Sequence, residues 1–181
     1  MNGILNDRKT AWIITSVLIV LAFFGGGAKS LNGLKSAASE IFYNGTDGDG
    51  LGIQRELNYR IEYSYNLITV ANRYIPDDAA VKQTEAARDA LIKSDGVKEK
   101  SESNLGLTEA VTALYERLGR EKLSEQDARY RENIYTDIKA RNNIISNDGY
   151  NREAREFNKK LGVFPSSLIK ALNLASELPL F

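Results

Sequence analysis

Apolar positions along the chain follow two different patterns, and each predicts a different kind of helix. From Thr10 to Ala28, nineteen consecutive residues carry no charge. At 1.5 Å per residue this run spans about 28 Å, close to the ~30 Å hydrocarbon core of a bilayer. Its strongly apolar members are Ile13, Ile14, Val17, Leu18, Ile19, Val20, Leu21, Phe23 and Phe24. Together they contribute roughly −4 kcal/mol on an insertion scale before glycines and hydroxyls subtract. They lie on every side of a helix, which argues against one lying flat in the membrane surface. Trp12 sits near one end, where an indole favours the headgroup level. The expectation is a short N-terminal tail, 1–9, then a single transmembrane anchor, 10–28, in contact with the lipid bilayer. The same residues also fit a cleavable signal peptide: Arg8 and Lys9 as its basic part, Ala11 to Phe24 as its apolar part, Gly26 and Ala28 as small residues before a cut. Both readings carry the bulk of the chain across a membrane. Arg8 and Lys9, set against Lys29 and Lys35, orient it only weakly.

Beyond the run the pattern becomes amphipathic. A juxtamembrane stretch from Lys29 to Tyr43 leads to Asn44-Gly45-Thr46-Asp47-Gly48-Asp49-Gly50, a loop because glycine is costly inside a helix. From Leu51 to Ile75, Leu57, Ile61, Ser64, Ile68, Ala71 and Ile75 recur at spacings of three and four, with Leu67 and Tyr74 widening the stripe. Pro76-Asp77-Asp78 ends that helix and starts another over 79–93, whose inner face is small (Ala80, Thr84, Ala87, Leu91). Ser94 to Ser103 reads as a polar linker. Leu107, Val111, Leu114 and Leu118 mark a third helix. Ser124 and Asp127 open a fourth, with Tyr130, Ile134, Ile138 and Ile145 inward. After a break at Asn147-Asp148-Gly149 the phase restarts with Tyr150, Ala154, Phe157, Leu161 and Phe164. Strand signals are almost absent. The predicted fold is all-α: a transmembrane helix, a connecting segment over 29–50, and an antiparallel four-helix-type bundle over 51–181.

Composition narrows the chemistry. Lysine plus arginine and aspartate plus glutamate both total 24, so no net field draws the chain to nucleic acid. Histidine and cysteine are both absent. That removes imidazole bases, thiolate nucleophiles, disulfides and the usual soft-metal ligands. A carboxylate pair for glycoside hydrolysis is conceivable, but no spacing in the sequence places one. No enzyme and no cofactor are expected.

The residues Tyr150-Asn151, Phe157-Asn158 and Phe164-Pro165-Ser166-Ser167-Leu168-Ile169 form a pattern that resembles the closing motif of the LemA family. Gln54, Leu57, Arg60, Asn66, Leu67, Ile68 and Tyr74 are spaced similarly to that family's first long helix, and Ala87-Arg88 to its next. The resemblance covers about half of the chain after the anchor. It implies a membrane helix followed by an antiparallel helical bundle, with no established biochemical role. The Asn147 to Gly149 break and the glycine-rich loop depart from the family pattern.

Three features invite a site. Asp47, Asp49 and Glu56 occupy calcium-loop positions, but Gly45 stands where the first carboxylate belongs, which favours a simple turn into a helix. Asn44-Gly45-Thr46 is a glycosylation sequon. Several of the nine tyrosines fall within 59–74, as either a binding surface or the wet edges of a bundle. Asn151 and Asn158, one heptad apart beside an aromatic stripe, either bond inside the bundle or face a partner. The function expected is a membrane-anchored interaction or scaffolding module with an unidentified protein partner; the alternative is a soluble helical binding protein secreted after signal cleavage.

Overall fold

The computed structural model describes residues 8–181, apart from the side chain of Asp47. The expected tail therefore lies outside the described residues except for Arg8 and Lys9, which open the first helix. Those described residues are helical, with no strand: α1 (Arg8–Asn44), a 3-10 turn (Thr46–Gly48), α2 (Ile53–Ala71), α3 (Ala79–Lys93), α4 (Gly96–Leu118), α5 (Glu125–Asn147), α6 (Tyr150–Leu161) and α7 (Ser166–Ala171). They divide into two compact units. One holds the residues up to Ala38 with Ala154–Leu178, and the other Ser39–Glu153 with Pro179–Phe181.

In the second unit α2 to α5 pack pairwise and antiparallel. Arg73 meets Asp127 at one end of α2 and α5, and Glu56 meets Arg141 at the other. Asp78 and Arg117, then Ser94 and Ser103, pair α3 with α4 in the same sense. The Arg88 Nε donates to the Ile61 carbonyl between α3 and α2, and the Tyr115 hydroxyl to Glu132 between α4 and α5. Leu57, Leu67, Leu107, Leu114 and Leu118 are wholly buried in the resulting core, and Val111 nearly so. Fully burying one such leucine is worth about 1.5–3 kcal/mol, so the stripe of α4 alone is a large share of a domain's net stability.

Local chemistry sets the helix ends. The Asp78 carboxylate accepts from the Ala80 amide at 2.9 Å and caps α3. The Ser124 hydroxyl accepts from the Asp127 amide at 3.1 Å and caps α5. At Gly45 the backbone takes a φ of +79°, which an L side chain rarely adopts. Gly52 is required for a different reason: a Cβ there would lie 2.6 Å from the Phe42 carbonyl oxygen.

Six expectations are corrected. Residues 94–103 are not a linker, because α4 begins at Gly96. The Glu99 carboxylate accepts from the Asp95 amide, Lys100 bonds the Ser94 carbonyl, and Val97 is buried, so this polar stretch forms a capped first turn and a wet helix face. The 29–43 stretch is not a separate segment, because α1 continues through it to Asn44. Leu31, Ala38 and Phe42, at i, i+7 and i+11, are buried on one side of it. In α2, Ile61 is only half-buried and Arg60 faces inward instead. The helix also stops at Ala71 rather than Ile75, since Pro76 disfavours helical backbone at the residue before it. In α5, Ile138 and Ile145 are buried but Tyr130 is 47% exposed, because Asp127 takes the inward place in that first turn. Finally, Phe164 is 74% exposed: α6 ends at Leu161, and the turn that follows carries Phe164 off the buried stripe.

In the first unit the side chain of Ile169 on α7, 2% exposed, seats on Gly27 of α1, where an added Cβ would come within 2.5 Å of its Cδ1. The Lys35 ammonium donates to the Ser176 hydroxyl at 2.7 Å.

Leu114→Ala is expected to destabilise the second unit by about 2–5 kcal/mol, and Tyr130→Ala by less than about 0.5 kcal/mol. Urea unfolding followed by circular dichroism checks both; a large effect at Tyr130 would restore it to the core.

Candidate functional site

The residues of the closing motif build two amide clamps. In the second unit the Asn151 Nδ2 donates to the Phe181 carbonyl at 2.9 Å, while its Oδ1 accepts from the Phe181 amide at 2.8 Å. In the first unit the Asn158 Nδ2 donates to the Leu178 carbonyl and its Oδ1 accepts from the Leu178 amide, both at 2.8 Å. Each carboxamide thus pairs with one residue's backbone as a neighbouring strand would, satisfying both a donor and an acceptor. The asparagines therefore bond within the protein, but to backbone rather than to another helix.

Tyr150 supports the same segment. Its hydroxyl donates to the Pro179 carbonyl at 2.7 Å, and its ring meets Phe42 edge-on with centroids 5.3 Å apart. The ring is fully buried, and burial pushes its phenol up to about 12. Phe42 also contacts the Phe181 ring at 5.7 Å. Phe157 is buried, whereas Phe164 and Pro165 lie on the exposed turn before α7.

A second cluster occupies the middle of the second unit. The Arg60 guanidinium is wholly buried; it donates to Thr108 of α4 at 2.7 Å and to the Asn142 amide oxygen of α5. Burial lowers its pKa to about 10, so it is cationic at neutral pH. One turn earlier Glu56, also buried, is paired with Arg141 at 3.1 Å, and that pairing raises the Arg141 pKa. Arg60 Nε, Arg141 Nε and Asn104 Oδ1 are buried without a hydrogen-bond partner. A third polar tie joins the ends of α2 and α5: Tyr74 donates to the Asp127 carboxylate at 2.7 Å and accepts from the Ser124 amide at 3.0 Å. The reciprocal half of the Ser124 capping box is thus relayed through Tyr74.

The remaining sequence candidates do not converge. Gln54 bonds Asn58 on its own helix, Asn66 is half-buried, and Arg88 lies over the Tyr65 ring. Tyr59 stacks with Tyr63 and takes Arg55 and Arg141 on its ring, so these tyrosines are spent largely on cation–π contacts. In the loop, Asp49 accepts from the Leu51 amide at 2.9 Å while Glu56 is committed to Arg141; the side chain of Asp47 is outside the described residues. Among the described residues no group of three carboxylates, histidines or cysteines is placed to hold a metal ion. Sequence reasoning missed Arg60 as a core residue and the 178–181 segment as a partner. The only advance signal for the latter was the paired amides themselves.

Asn151→Ala and Asn158→Ala are each expected to destabilise by about 1–3 kcal/mol, because each leaves a backbone donor and acceptor unpaired. Hydrogen exchange at the Phe181 amide, for Asn151→Ala, and at the Leu178 amide, for Asn158→Ala, should accelerate selectively. Unchanged exchange at those amides would show that the clamps do not hold the segment. Phe157→Ala is the control, with a cost of about 3–5 kcal/mol from its buried ring.

Comparison with known proteins finds no matching family model, no similar curated protein and no similar solved structure.

Proposed function

We propose that this chain is a membrane-anchored helical protein of the LemA type, crossing the bilayer once through 10–28 and holding its α2 to α5 bundle outside the cytoplasm. In this reading it is a non-catalytic interaction or scaffolding module of the cell envelope. One observation carries it: α1 is long and apolar enough to cross a membrane, and none of the residues in its apolar window is buried. Trp12, Ile13, Leu18, Ile19 and Leu21 each expose more than half of their surface. These residues point to different sides of the helix. A single protein partner would cover one side, whereas a bilayer covers all of them.

The secreted alternative would place its cut at Gly25-Gly26-Gly27-Ala28, a stretch that in the uncleaved chain is part of α1. The family reading rests on the motif residues of α2 and α6. The non-catalytic reading rests on how the buried polar groups are used: Arg60, Glu56 and Asp127 each bond across helices.

Expressed at full length, the protein is expected to remain in the membrane pellet after alkaline carbonate washing, with its amino terminus uncleaved by mass spectrometry. A soluble form beginning near Lys29 would establish the secreted alternative and overturn the anchor.

A further inference from the structure

In the first unit, the contact of Ile169 with Gly27 fixes the level of α7 along α1. Gly27 is the penultimate residue of the uncharged run, so the Ile169 side chain meets α1 one residue before that run ends. On the anchor reading, on which this inference rests, that point is the boundary between hydrocarbon and headgroups. The residues around Ile169 are correspondingly apolar and uncovered: Val163, Phe164 and Leu172 are 59%, 74% and 56% exposed, and Leu168 and Leu174 more than two-fifths. Exposed apolar surface of this density signals a contact with something nonaqueous.

Beneath them runs a groove of about 730 Å³, with Phe23 and Leu31 of α1 on one side and Val163, Phe164 and Ile169 on the other. Lys159 and Lys160 stand at its edge with Glu156. From Glu156 to Glu177 the sequence contains three lysines, Lys159, Lys160 and Lys170, and two acids, Glu156 and Glu177, an excess of one positive charge in a chain that as a whole has no net charge. Lys170 is paired with Glu177 and Lys35 with Ser176. Lys159 and Lys160 are exposed at the groove's edge.

We propose that 159–174 is a second membrane contact: the Val163-Phe164 turn and α7 sit at headgroup depth, and the groove holds an anionic phospholipid. Its acyl chain would lie against Phe23, Leu31 and Phe164, with its phosphate between Lys159 and Lys160. Two features select this occupant over a protein. The groove opens at the depth where α1 passes from uncharged to lysine-bearing residues, and its rim charge complements a phosphate.

The test uses the absence of cysteine from the chain. Full-length Ile19→Cys and Phe164→Cys variants are labelled with an environment-sensitive fluorophore and reconstituted into phosphatidylglycerol or phosphatidylcholine vesicles carrying lipid-bound quenchers. The Ile19 probe is expected to be quenched from mid-chain positions, and the Phe164 probe from positions near the headgroup. In phosphatidylglycerol, adding Lys159→Gln and Lys160→Gln should reduce Phe164 quenching to its level in phosphatidylcholine. A Phe164 probe accessible to aqueous iodide, with the Ile19 probe still protected, would overturn the contact and leave the anchor standing. Iodide access at both sites would overturn both readings. Phe164 quenching unaffected by the lysine replacements, or equal in the two lipids, would overturn the anionic-lipid assignment.

Discussion

The cost of leaving α1 in water is the constraint on which the rest of this structure depends. Its apolar side chains between Trp12 and Phe23 face outward on all sides. At about 25 cal/mol per Å² of apolar surface, the penalty exceeds what any one-sided contact would relieve. The charges begin at Lys29, and burial on α1 begins only at Leu31, where the helix turns from an all-round apolar rod into an amphipathic one. This transition occurs within one continuous helix.

Within the second unit, specificity comes from polar groups placed among leucines. A core of Leu57, Leu67, Leu107, Leu114 and Leu118 could slide by a turn at modest cost, because aliphatic side chains tolerate repacking. Arg60 removes that freedom. A buried guanidinium tied to Thr108 and Asn142 has one acceptable register between α2, α4 and α5, and leaving its donors unsatisfied costs more than the bonds themselves contribute. The Glu56–Arg141 and Arg73–Asp127 pairs repeat that constraint at either end of α2 and α5. The same logic applies to Asn151 and Asn158, whose carboxamides can satisfy a lone extended segment that has no sheet to join.

What the sequence determined by itself was whatever depends on neighbours three or four residues away. The uncharged run, the bounds of α3 after Pro76-Asp77-Asp78, the buried face of α4 from Leu107 to Leu118, and the break between α5 and α6 were all legible, because helical periodicity and helix-end signals are local. So was the stripe of Tyr150, Ala154, Phe157 and Leu161, up to the turn that ends it. Tertiary structure decided where a polar residue goes when the chain offers it a distant partner. Arg60 displaces Ile61 from the core because Thr108 and Asn142 arrive from 48 and 82 residues away. Polar residues 94–103 form helix rather than linker because Val97 is buried and Ser103 reaches Ser94. The two asparagines hold backbone 20 and 30 residues ahead of them, a pairing that no periodicity encodes. Local spacing specifies which face of a helix is apolar; only the assembled chain supplies the acceptors and donors that let a charge or an amide be buried there.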